Sequence, residues 1–134
     1  MGNAVGNATL RFTDPDHAVL EFSIGGVTGT KLITRQSFGD SKAYAPVRGD
    51  MWWGGDSQNG WGIASLAQGS KLFSVWFTYD AAGAPTWFVM PNGAFSLADR
   101  RFEGRIFRTT GSQWLGAPYN AAQLQAVSYT HLRA

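Results

Sequence analysis

No cysteine occurs in the 134 residues, so neither a disulfide framework nor a thiolate metal site is available. This absence rules out a stapled scaffold and leaves export open, because a chain of this size can bury a core without staples. Histidine is almost as scarce, with only His17 and His131. Charge is sparse too: 11 Lys and Arg stand against 9 Asp and Glu, a net of +2, too small a field to predict nucleic acid as a partner. Arg100, Arg101, Arg105 and Arg108 read as a solvated strand face, with stacking of a single strand on nearby rings as the alternative. No apolar run approaches the roughly 20 residues that cross a bilayer as a helix, so no membrane span is expected. Met1 to Asn7 lacks the charged-then-apolar design of a signal peptide, and an exported parent would have its leader elsewhere.

What the chain has in quantity is aromatic and glycine residues. Trp52, Trp53, Trp61, Trp76 and Trp87 share one stretch with Phe73, Phe77, Tyr79 and Phe88. Large flat amphipathic rings at this density point either to an aromatic-walled ligand surface or to an unusually aromatic core.

Gly and Pro punctuate short runs of β type, and no segment sustains a helical period with caps. The fold class predicted is all-β, an antiparallel meander of about eight strands closed as a small barrel, with a β-sandwich as the alternative. Strands are expected at Thr9 to Thr13, Ala18 to Ile24, Thr28 to Gln36, Met51 to Trp53, Gly60 to Ala67, Lys71 to Tyr79, Pro85 to Pro91 and Phe102 to Thr109. A last short one is expected at Gln113 to Leu115. Gly39 to Asp50 is polar and turn-rich, and reads as a linker or long loop. In the hairpin joined by Tyr79 to Gly83, Phe73, Val75, Phe77 and Tyr79 alternate with Leu72 and Trp76, while Trp87 and Val89 alternate with Phe88 and Met90. Both faces of that ribbon are apolar, so a second layer, a subunit or a ligand should cover them.

The last eight residues, Val127 to Ala134, look like the translation of a transposon-based sequencing adaptor read off the end of an insert. That resemblance implies a frame taken from environmental shotgun DNA and a natural chain cut near Ala126, and it removes Tyr129, His131 and Arg133 from functional argument. The domain is then residues 1–126, with 127–134 as tail.

Met51-Trp52-Trp53-Gly54-Gly55, Asn59-Gly60-Trp61-Gly62-Ile63, Leu72 to Asp80, Gly83 to Phe88 and Arg108 to Gly111 together resemble an aromatic-rich module of predicted exported proteins of proteobacteria. In that module the aromatic run is followed by segments resembling Val5 to Thr13, Gly25 to Lys31 and Ile33 to Gln36. Here residues 5–38 stand before 51–115, so the resemblance implies a permuted unit taken from tandem copies. Its first hairpin would close the fold or be exchanged with a neighbour to form a homo-oligomer. The resemblance implies a secreted or cell-surface parent and carries no catalytic residue.

His17, beside the turn acids Asp14 and Asp16, reads as a surface turn residue, since no Gly-flanked nucleophile motif accompanies it. Metal ligation lacks its ligand set, and no cofactor is implied. Asp50, Asp56, Glu21 and Glu103 are the pool for a carboxylate pair in glycoside hydrolysis, with Asp50 and Asp56 flanking Trp52 and Trp53. The favoured expectation is a non-catalytic module that binds a glycan or another extracellular polymer. Its contacts would be Trp52, Trp53, Trp61, Trp76, Trp87 and Tyr79, with Asp56, Gln58 and Asn59 supplying hydrogen bonds. A small apolar ligand, a structural or self-assembling repeat, and a hydrolase are the alternatives.

Overall fold

The computed structural model describes residues 3–40, 49–96, 98, 100–112 and 118–128. Among them the regular structure is antiparallel strand, apart from single 3₁₀ turns at Asp56–Gln58 and Ala121–Gln123. The chain divides into two compact units, Met1–Ser37 with Ser112–Ala121, and Phe38–Gly111 with Ala122–Ala134.

The first unit is a three-stranded meander of β1 (Gly6–Phe12), β2 (His17–Ile24) and β3 (Val27–Thr34). Gly25 and Gly26 link β2 to β3 with φ of 57° and 82°, as a two-residue type I′ loop demands of both positions. The register aligns Ala8 with Phe22 and Phe22 with Gly29. An added Cβ on Gly29 would lie 2.5 Å from the Phe22 ring, so glycine lets the phenyl group fold across its neighbour. Phe22 and Ala18 are the buried residues of this sheet.

The second unit holds β4 (Asp50–Trp52), β5 (Gly62–Gln68), β6 (Lys71–Tyr79), β7 (Pro85–Ser96), β8 (Arg101–Glu103), β9 (Phe107–Thr110) and β10 (Gln125–Ser128). Their order is β10-β9-β7-β6-β5-β4, with β8 also on β7. The antiparallel meander is present, and no closed sheet is found among the described residues.

Two strand boundaries differ from expectation for one reason. β7 runs past Pro91 to Ser96 because its register shifts against β6, from Ser74–Met90 to Leu72–Gly93, and the irregularity accommodates a residue with no N–H to donate. The bulge re-aims the strand, so β8 pairs with its far half at Phe95–Phe102 and β9 meets its near half at Val89–Phe107. The single strand expected from Phe102 to Thr109 therefore breaks at residues 104–106. Gly104 fits there because a Cβ would stand 2.7 Å from Met90 Sδ.

The segment expected as a linker begins by docking. Gln68 Oε1 accepts from the amides of Phe38 and Gly39, and the Asp40 carboxylate accepts from the Ser70 amide at 2.9 Å and hydroxyl at 2.7 Å. Residues 41–48 of that segment, the strand expected at Gln113 to Leu115, and the tail beyond Ser128 lie outside the described residues. Val127 and Ser128, set aside as tail, are part of β10.

The loop from Asp80 to Ala84 is held by one carboxylate. Asp80 Oδ1 accepts from the amides of Ala82 and Ala84, both at 2.9 Å, while Gly83 takes φ of 78°. Asp80→Ala should destabilise the second unit by about 1–2 kcal/mol and Asp80→Asn by less, because the amide oxygen can keep the same turn. Urea midpoints of the two variants, compared with wild type, check the order.

Candidate functional site

The pleat of β4 to β7 sorts the aromatic residues onto two faces, because successive side chains alternate and cross-strand partners share a side. Aligned rows of the sheet are Met51–Ala64–Val75–Val89 and Phe77–Trp87, with Leu66–Phe73 and Tyr79–Pro85 continuing them. These rows form one face. Phe77, Tyr79 and Trp87 are 48%, 56% and 49% exposed there, and Met51 and Leu66 are exposed with them. Phe38 covers part of this face at Phe73, ring centroids 6.0 Å apart.

The opposite face carries Trp52–Ile63–Trp76–Phe88 and Ser65–Ser74–Met90. Trp76 meets Trp61 edge-on at 6.1 Å and Phe88 at 5.9 Å. Gly54 makes room for the Trp61 indole, since a Cβ there would lie 2.9 Å from Cζ2. A cavity of about 250 Å³ opens on this face among Leu72, Ser74, Trp76, Met90, Phe102 and Ile106.

The residues expected to form one site are therefore divided. Trp87 and Tyr79 share the open face, whereas Trp76 and Trp61 pack together on the other. Trp52 and Trp53 are exposed at and just beyond the end of β4. Asp56, Gln58 and Asn59 are exposed on the loop between β4 and β5, and that loop reaches the open face through Gly60, where a Cβ would lie 3.5 Å from Tyr79 Cε2. Phe77 was omitted from the expected contacts. The signal was present, because its two-residue spacing from Tyr79 puts both on one side of the strand.

Two of the candidate carboxylates, Asp50 and Glu103, engage in local structure. Asp50 Oδ1 accepts from the Met51 amide at 2.8 Å, Glu103 pairs with Arg101 at 3.3 Å, and Glu21 stands on an exposed position between Thr9 and Thr30. His17 Nδ1 lies 2.9 Å from both oxygens of Asp14. The Asp16 amide, then the His17 ring, hold the Asp14 carboxyl below the usual aspartate range. Those contacts close the β1–β2 turn. Among the described residues no cluster of three His, Cys, Asp or Glu could hold a metal ion, and no helix is long and apolar enough to cross a membrane.

The chain matches no protein-family model, no curated protein and no solved structure.

Proposed function

We propose that this protein is a non-catalytic binding module that engages a glycan or comparable extracellular polymer by ring stacking, within a secreted or cell-surface parent. The observation that carries the reading is the open face itself. Phe77 and Trp87 are cross-strand partners, and Tyr79 follows Phe77 by two residues, so three large rings stand about 7 Å or less from their nearest neighbour on a rigid ribbon. A sheet holds such rings flat and pre-ordered, which lowers the entropy lost on binding. Sugar rings present C–H faces to indole and phenol, and polymer length lets weak stacking contacts add up. Asp56, Gln58 and Asn59 offer hydrogen bonds to hydroxyl groups at the Tyr79 end. Trp53, just beyond β4, supplies further exposed indole, whereas Trp52 presents its own on the opposite face.

Trp87→Ala should weaken binding to a responsive polysaccharide about tenfold, with Tyr79→Ala somewhat milder, because a central aromatic contact carries a disproportionate share of binding energy. Affinity gel electrophoresis against a polysaccharide panel, with circular dichroism to confirm the fold, measures it. Equal retention of wild type and Trp87→Ala on every retained polymer would remove the platform as the contact.

Self-association through the same face is the second reading, favoured by the exposure of Met51 and Leu66 beside the rings. Sedimentation velocity separates the two: a concentration-dependent dimer abolished by Leu66→Lys supports assembly over polymer recognition.

A further inference from the structure

We propose that the free edge of β3 is the surface on which two copies of this chain join, antiparallel and about a two-fold axis, so that their first units become one continuous sheet. β1 and β3 are the outer strands of that unit, and each pairs only with β2 among the described residues. An outer strand carries a row of open amides and carbonyls that another strand can satisfy, and natural edges are blunted against this by proline, bulges, shortness or charge. β3 has eight residues, no proline, an unbroken register with β2 and one charged residue, Lys31. Val27, Thr28, Thr30, Ile33 and Thr34 are β-branched, whereas β1 begins with Gly6, Asn7 and Ala8, which favour a strand less.

The ladder fixes which groups point outward. The Arg35 amide donates to the Asp16 carbonyl at 2.7 Å, and hydrogen-bonded pairs alternate from there along the two strands, at Ala18–Ile33, Leu20–Lys31, Phe22–Gly29 and Ile24–Val27. Thr28, Thr30, Leu32 and Thr34 therefore turn their amides and carbonyls away from β2. Among the described residues no hydrogen bond reaches those groups.

The side chains of β3 select the register. Opposed residues must share a face and bring outward groups together, so the two registers of greatest overlap set either Thr30 or Lys31 opposite its own copy. The second places two ammonium groups against each other, and like charges directly opposite are destabilising. The first places Lys31 opposite Gly29, which has no side chain, and Val27 opposite Ile33 on the same face. On the other face Thr30 meets Thr30, a pair able to hydrogen bond, flanked by Thr28 against Leu32. Lys31 thus decides between the two, in favour of Thr30 at the axis. The aromatic residues proposed to bind polymer belong to the second unit, so this contact stands or falls independently of that reading.

The chain has no cysteine, so a single introduced thiol reads the register cleanly. Opposed residues of a hydrogen-bonded pair lie about 5.5 Å apart at Cα, inside the roughly 4.4–6.8 Å that a disulfide spans. Under mild oxidation of the full chain, Thr30→Cys should form a covalent dimer roughly tenfold faster or more than Leu32→Cys, whose thiols would stand about 13 Å apart along the strands. In sedimentation velocity the wild type should form a concentration-dependent dimer that survives Leu66→Lys. Thr30→Pro should weaken that dimer roughly tenfold or more, because an outward donor is lost from each copy while the β2 ladder keeps all its bonds. Circular dichroism checks the fold, and if Thr30→Pro does not fold, the two thiol variants decide. A strictly monomeric wild type, assemblies that grow beyond the dimer, a dimer abolished by Leu66→Lys or indifferent to Thr30→Pro, or equal oxidation of the two thiol variants overturns the proposal.

Discussion

Leu72→Ala should lower the stability of the seven-stranded unit by about 2–4 kcal/mol, because truncating a buried leucine loses transfer free energy and leaves a void that the surroundings only partly fill. Leu72 is 6% exposed and is the most deeply buried large aliphatic residue among those described. It stands opposite Gly93 at the bulge, where a Cβ on Gly93 would touch Leu72 Cβ at 3.3 Å, so the two chains already approach closely. The side chain also walls the cavity, and its removal enlarges a space that already exists. Leu72→Met, which conserves volume, should stay within about 1.5 kcal/mol of wild type. Urea denaturation followed by tryptophan fluorescence reads both. A midpoint for Leu72→Ala indistinguishable from wild type would show that the side chain is not part of a packed core.

Gly29→Val should destabilise the three-stranded sheet by about 2–3 kcal/mol through overpacking. Strand propensity alone argues the other way, since valine favours a pleated surface over glycine by up to about 1 kcal/mol. The steric term wins because the new Cβ would lie within 3 Å of two Phe22 ring atoms, and the ring that must move is the most buried side chain of substantial size in that sheet. The double variant Phe22→Ala/Gly29→Val should recover part of the loss caused by Phe22→Ala, a coupling visible only if the two residues touch. Hydrogen exchange of β1 to β3 amides is the direct measurement. Slower exchange in Gly29→Val than in wild type would mean that propensity had prevailed.

Much of the local structure was legible in the residues. The β6 strand from Lys71 to Tyr79 is bounded as expected, since Gly69 before it and the Asp80 loop after it leave the chain no choice of register. The two apolar faces of the β6–β7 ribbon were legible for the same reason: alternation assigns each side chain to a side once the strand is known. The break at Gly104 and the extension of β7 were not. Both follow from a bulge opposite Leu72 and Ser74, a pairing that no local window contains.

Composition and alternation determined the fold class, the turns and the membership of each face in this protein. Tertiary structure alone decided that Trp61 and Trp76 lie apart from Trp87. Trp76 turns toward Trp61 and Phe88 while Trp87 turns away from them. Tertiary structure also decided which face leaves its rings exposed and which carries a cavity. The reason is that a strand fixes only the side on which a residue lies, whereas burial depends on what β8, the Gly104 approach and the Phe38 segment bring across the sheet from far along the chain.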